Sequence, residues 1–65
     1  MLIDKKTGEE VSFGMPITRR SYPGRMFRYE VLSVLDCGRL WVRKLDGDQW
    51  VYLRMTPGSL RLELS

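Results

Sequence analysis

Aromatic rings and guanidinium groups alternate along Arg39-Leu-Trp-Val-Arg-Lys-Leu-Asp-Gly-Asp-Gln-Trp-Val-Tyr-Leu-Arg54, a combination able to stack on flat ligands and to pair with phosphate or carboxylate. These residue types act together only if one surface carries them, and strand geometry supplies it. With Asp46-Gly47 as a two-residue turn, the segment reads as a β-hairpin in which Arg43 faces Trp50, Val42 faces Val51, Trp41 faces Tyr52 and Leu40 faces Leu53. Side chains alternate between faces along a strand, so Leu40, Val42, Val51 and Leu53 form an aliphatic side that is read as core. Arg39, Trp41, Arg43, Trp50, Tyr52 and Arg54 form the other. Three uses of that second side stay open. Trp41, Trp50 and Tyr52 can stack nucleic-acid bases while the arginines meet phosphate. The same types dominate protein-binding hot spots. The guanidinium groups can also lie over the rings as intramolecular cation–π pairs.

Arg19, Arg20, Arg25 and Arg28 fall in a ten-residue stretch without an acid and extend the basic footprint. Over the whole chain 11 basic residues against 8 acidic ones give +3, a mild bias towards anionic partners. Other chemistry is largely excluded. Without His there is no imidazole base, no His-activated nucleophile and no imidazole metal ligand. One cysteine cannot build a thiolate zinc site or an internal disulfide. Asp46 and Asp48 read as turn residues, with a weak metal contact as the alternative. Cys37, in the Asp36-Cys37-Gly38 turn, reads as a turn residue or as a thiol activated by Arg39. The glycines are dispersed without phosphate-loop spacing. The expectation is a non-enzymatic binding module with no catalytic residue, metal or cofactor. Its partner is a protein, a host factor for instance, or a nucleic acid, and self-association is open.

A chain of 65 residues implies one domain, and at that size about 60% of the unfolded surface is buried, enough for one small core. Without disulfides, a signal-peptide run or roughly 20 consecutive apolar residues, the expectation is a soluble cytoplasmic protein. Period-two patterning dominates, which predicts an all-β fold. Leu2-Ile3-Asp4 is a short strand, Lys5-Lys6-Thr7-Gly8 a turn, and Glu9 to Phe13 a strand with Val11 and Phe13 on one face. Gly14, Pro16, Pro23 and Gly24 punctuate a long loop from about 14 to 25, with a turn at Tyr22-Pro23-Gly24-Arg25. Met26 to Asp36 is the longest strand. Its apolar phase slips between Phe27/Tyr29/Val31 and Leu32/Val34, which predicts a bulge near Leu32-Ser33. Thr56-Pro57-Gly58-Ser59 breaks the hairpin's second strand through a turn or a single helical turn, and Leu60, Leu62 and Leu64 then seal the core.

Strand, long loop, three antiparallel strands, breaker and terminal strand form an order that resembles the SH3-like small β-barrels, in the broad sense that includes Tudor and KOW domains. The resemblance covers Glu9 to Leu64, its carriers being the loop around 14 to 25 and Thr56-Pro57-Gly58. It implies a five-stranded barrel with a long first loop and a short turn or helical turn before the last strand. The acidic loop and proline-groove aromatic pair of signalling SH3 domains are missing, so binding of Pro-rich peptides is not implied. Asp4-Lys5-Lys6-Thr7-Gly8-Glu9-Glu10-Val11, with Gly14, Ile17 and Gly38-Arg39-Leu40-Trp41-Val42, is also similar to small uncharacterised bacteriophage proteins. That likeness implies a viral accessory protein in the cytoplasm of a bacterial host.

Overall fold

Period-two patterning becomes seven strands in the computed structural model, which describes residues 1–21 and 23–65. They are β1 (Leu2–Asp4), β2 (Glu10–Val11), β3 (Pro16–Ser21), β4 (Arg25–Val34), β5 (Leu40–Asp46), β6 (Gln49–Met55) and β7 (Leu62–Leu64), with a 3₁₀ turn at Pro57–Leu60. They form two antiparallel sheets, one ordered β2-β1-β7 and the other β3-β4-β5-β6. The all-β expectation holds. The five-stranded barrel does not: there are seven strands in two separate sheets.

The strand count rises chiefly because the expected long first loop contains β3, which pairs with β4 from Pro16↔Glu30 to Ser21↔Arg25. Pro16 opens that strand at the edge of the sheet, where proline is tolerated. Ile17 points into the core at 6% exposure. Arg19 lies on the same side, in a segment that Gly14, Pro16, Pro23 and Gly24 made read as a loop. Its Nε donates to the Leu60 carbonyl (2.8 Å) and its Nη2 to Asp4 Oδ2 (3.0 Å). A basic side chain thus clasps β3 to both β1 and the 3₁₀ turn.

The bulge expected near Leu32-Ser33 is present, the register of β4 on β5 shifting between Val31 and Ser33. The Asp36-Cys37-Gly38 turn also forms, with the Gly38 N–H donating to the Leu35 carbonyl at 2.9 Å and Gly38 at φ +85. Of the turn at Tyr22-Pro23-Gly24-Arg25, Tyr22 lies outside the described residues. Gly24, at φ +128, donates its N–H to the Ser21 carbonyl.

The β5–β6 hairpin forms around a different turn. Asp46 pairs with Gln49, so Gly47-Asp48 are the central residues and every partner moves by two: Arg43↔Tyr52, Val42↔Leu53, Trp41↔Arg54 and Leu40↔Met55. Gly47 has φ +66 and no positive φ occurs at Asp48, the sign pattern of a II′ turn, which requires glycine at the first central position. Two residues are one full side-chain period, so the face assignments survive the shift.

The core lies between the sheets. Ile17, Tyr29, Val31, Leu40 and Val42 come from one, Leu2, Val11 and Leu62 from the other, and Leu60 from the 3₁₀ turn. Val31, Leu40 and Val42 are wholly inaccessible at 0%. Burying a side chain of this size is worth about 1.5–3 kcal/mol. Three expected core members fall outside it: Val51, Leu64, and Leu53, which is only half-buried. Val51 lies on the inner side but is 42% exposed, because it sits opposite Lys44 on the edge strand β6, away from the smaller sheet. Leu64 is 40% exposed at the end of β7. The expectation that Phe13 shares a face with Val11 also fails: Phe13 is 59% exposed, because β2 ends at Val11 and the chain turns away.

Among the described residues, no helix is long and apolar enough to cross a membrane.

Candidate functional site

The outward side of β4-β5-β6 collects the aromatic and basic side chains. Strand alternation puts Trp41, Arg43 and Leu45 of β5 outward because Leu40 and Val42 point into the core. On β6 the same alternation sends Trp50, Tyr52 and Arg54 outward, and on β4 it sends Arg28 and Glu30. Arg39, just before β5, is exposed and in phase with Trp41.

Register decides which of these side chains meet. Trp41 and Tyr52 are diagonal neighbours, and their rings stack with centroids 6.1 Å apart at 26°. Arg43 lies over the diagonally placed Trp50 ring, 4.1 Å from its centroid. Both pairs were expected directly across the hairpin, and the shifted register turns them into diagonal contacts still within reach of large side chains.

The centre of the face is an ion pair. Glu30 is directly opposite Arg43, whose Nε and Nη2 both donate to Glu30 Oε1, at 2.9 and 2.6 Å. Arg28 Nη2 approaches Oε2 at 3.5 Å. Glu30 is only 5% exposed although it lies on the outward side, where Arg43 and Arg28 both pair with its carboxylate. Hydrogen bonding to the Glu30 carboxylate, and then to the Tyr52 hydroxyl, raises the pKa of Arg43 above the ordinary guanidinium value. The result links Arg28, Glu30, Arg43 and Tyr52 across β4, β5 and β6, with the Arg43 guanidinium against the Trp50 ring. It restricts side chains that would otherwise sample several rotamers, so the rings form a platform already in place.

The face therefore gathers Trp41, Arg43, Trp50, Tyr52, Arg54 and Arg39, as expected from their phase, and Arg28 of the basic stretch joins them from β4. Arg20 points to the same side from the edge strand β3, opposite Met26. Two of the expected arginines do not join them. Arg19 is occupied on the inner side by Asp4 and the Leu60 carbonyl. Arg25 also turns inward, 5.0 Å from the Phe27 ring centroid and 3.7 Å from Asp46 Oδ1. The residue that sequence reasoning missed is Glu30. Its phase with Arg28 was visible, but its place opposite Arg43 depends on the strand register on the near side of the bulge.

No group of three or more His, Cys, Asp or Glu side chains among the described residues is placed to hold a metal ion. Cys37 is free and exposed in its turn.

Compared with known proteins, the chain matches no family model, no curated protein and no solved structure.

Proposed function

We propose that this chain is a non-enzymatic binding module whose outward β4-β5-β6 face docks a protein partner. The observation that carries the reading is the position of Arg43, which is bonded to Glu30 and lies against Trp50. A phosphate-binding surface needs its central guanidinium free. Here that group is engaged, and its effect is to hold the rings in place. Rigid aromatic side chains lose little entropy on docking, which is why they anchor protein interfaces. Arg28, Arg39 and Arg54 around the rings favour a partner with an acidic rim.

The same proposal includes kinship and source: an SH3-like barrel in the broad sense, opened into two sheets, acting as a bacteriophage accessory protein in the host cytoplasm. Support comes from the order of hairpin, Thr56-Pro57-Gly58 breaker and last strand, with the residues quoted above.

Nucleic-acid binding is a second reading. It is favoured by Arg39 and Arg54, which have no acidic partner among the described residues. Tryptophan fluorescence separates the two when the protein is titrated with single-stranded DNA, duplex DNA and RNA at two salt concentrations. The mass in solution is recorded in the same buffer. The protein-partner reading expects no saturable quenching, and the mass shows whether the partner is a second copy. Saturable quenching whose log affinity falls by roughly 0.7–0.9 per decade of salt for each phosphate contacted would replace it with the nucleic-acid reading.

A further inference from the structure

A cleft of about 370 Å³ opens at the β3 edge, away from the aromatic rings, lined by Lys6, Thr18, Arg19, Arg20, Met26, Ser59 and Arg61. Its walls come from four places in the sequence, and specific bonds hold them together, Met26 of β4 pairing with Arg20 of β3. Arg19 donates to the Leu60 carbonyl and so fastens the 3₁₀ turn, which carries Ser59 and leads into Arg61, against β3. The Lys5 N–H donates to the Arg61 carbonyl at 3.0 Å, which places the turn bearing Lys6 beside Arg61. The cleft is thus built by the same contacts that join the two sheets.

Its charge is one-sided. Arg19 is neutralised by Asp4 at 3.0 Å, leaving Lys6, Arg20 and Arg61 as three cations with no acidic partner among the described residues. No carboxylate lines the cleft, although the chain has 8 acidic residues. Thr18 and Ser59 add hydroxyls, and Met26, 54% exposed, gives one apolar wall. Three like charges around one opening repel each other unless an anion lies between them.

Arg61 carries a second cost. It is the only described non-glycine residue with a positive φ, at φ 55 and ψ 41, immediately after the 3₁₀ turn. Glycine is the usual residue in that conformation. A long basic side chain stands where the backbone favours none, and it lines the cleft.

We propose that this cleft binds a small ligand carrying two linked phosphate groups, held by Lys6, Arg20 and Arg61 and hydrogen-bonded by Thr18 and Ser59. Several adjacent phosphate oxygens match three separated cations better than a monoanion does. The volume lies at the lower end for small-molecule sites, enough for a diphosphate with room along Met26 for an attached group. The cleft is lined by none of the aromatic rings of the partner-docking face, although Arg20 and Met26 lie on the same side of the larger sheet as those rings.

Isothermal titration of the intact protein with inorganic pyrophosphate tests it, with sulfate at matched ionic strength as control and ADP as a second arm. Saturable pyrophosphate binding that sulfate does not reproduce is expected. Arg61→Gly suits the backbone, so the variant should remain folded with a Tm at or above that of the wild type, yet weaken binding by roughly tenfold or more. Arg20→Gln should weaken it similarly, and Trp41→Ala should leave it unchanged. Tighter binding of ADP than of pyrophosphate assigns the Met26 wall to a nucleoside; equal or weaker binding assigns the cleft to the diphosphate alone. Equal responses to sulfate and pyrophosphate, or undiminished binding by a folded Arg61→Gly protein, would overturn the proposal.

Discussion

Arg43 and Arg19 are the same residue type with opposite assignments, and what separates them is which side of a strand each occupies. Arg43 was legible as part of the aromatic face because strong apolar alternation surrounds it on β5. Arg19 was not, because its inward environment is polar: a carboxylate from β1 and a carbonyl from the 3₁₀ turn. Both partners are distant in sequence, so nothing local marks the position as partly buried. Two predictions belong at this scale. Arg43→Ala leaves the Glu30 carboxylate with only the looser Arg28 contact, at 3.5 Å, to meet it, so Tm should fall. Adding Glu30→Gln to Arg43→Ala should recover much of the loss, and a double-mutant cycle by thermal denaturation measures the coupling. Strict additivity would show that the pair is not coupled. The second concerns Asp4. The Lys6 backbone N–H, donating to Oδ1 at 2.9 Å, and then Arg19 lower its pKa from the usual 3.8, against the opposing effect of burial. A carboxylate whose folded pKa is depressed contributes stability above its unfolded value and loses it as pH falls through the folded one. The Tm gap between wild type and Asp4→Asn should therefore be full above about pH 5 and close as pH drops through and below 3.8. A gap unchanged down to strong acid would remove the Asp4 ionisation from the account.

At the scale of elements, the bulge in β4 and the faces of the β5–β6 hairpin were readable from phase alone, while hairpin register and burial depth were not. Phase repeats every two residues, so a shift of two leaves it unchanged and cannot be detected from pattern. Depth depends on where the second sheet lies. Leu40 and Val51 share the inner side of the hairpin, but only Leu40 lies beneath the smaller sheet's cover. Leu40→Ala should cost roughly 2–5 kcal/mol by leaving a cavity. Val51→Ala should cost under about 1 kcal/mol, since water already reaches the side chain. Chemical denaturation measures both, and similar losses would contradict the packing described here.

For the whole molecule, two small sheets are joined by a shared core and by the Arg19 clasp, and the larger sheet carries a supported aromatic platform on its free side. All-β class was legible because alternation is local. Seven strands in two sheets were not, since β3 looked like a punctuated loop and the smaller sheet is made of strands of only two or three residues. The proposed role of the outward β4-β5-β6 face is to dock a protein partner. Its most direct measurement is capture from bacterial lysate at moderate salt after nuclease treatment, comparing wild-type, Trp41→Ala and Arg61→Gly baits, each first shown to be folded. The expected result is a stoichiometric partner retained by wild type and Arg61→Gly and lost by Trp41→Ala. A partner held equally well by Trp41→Ala would contradict the assignment of that face.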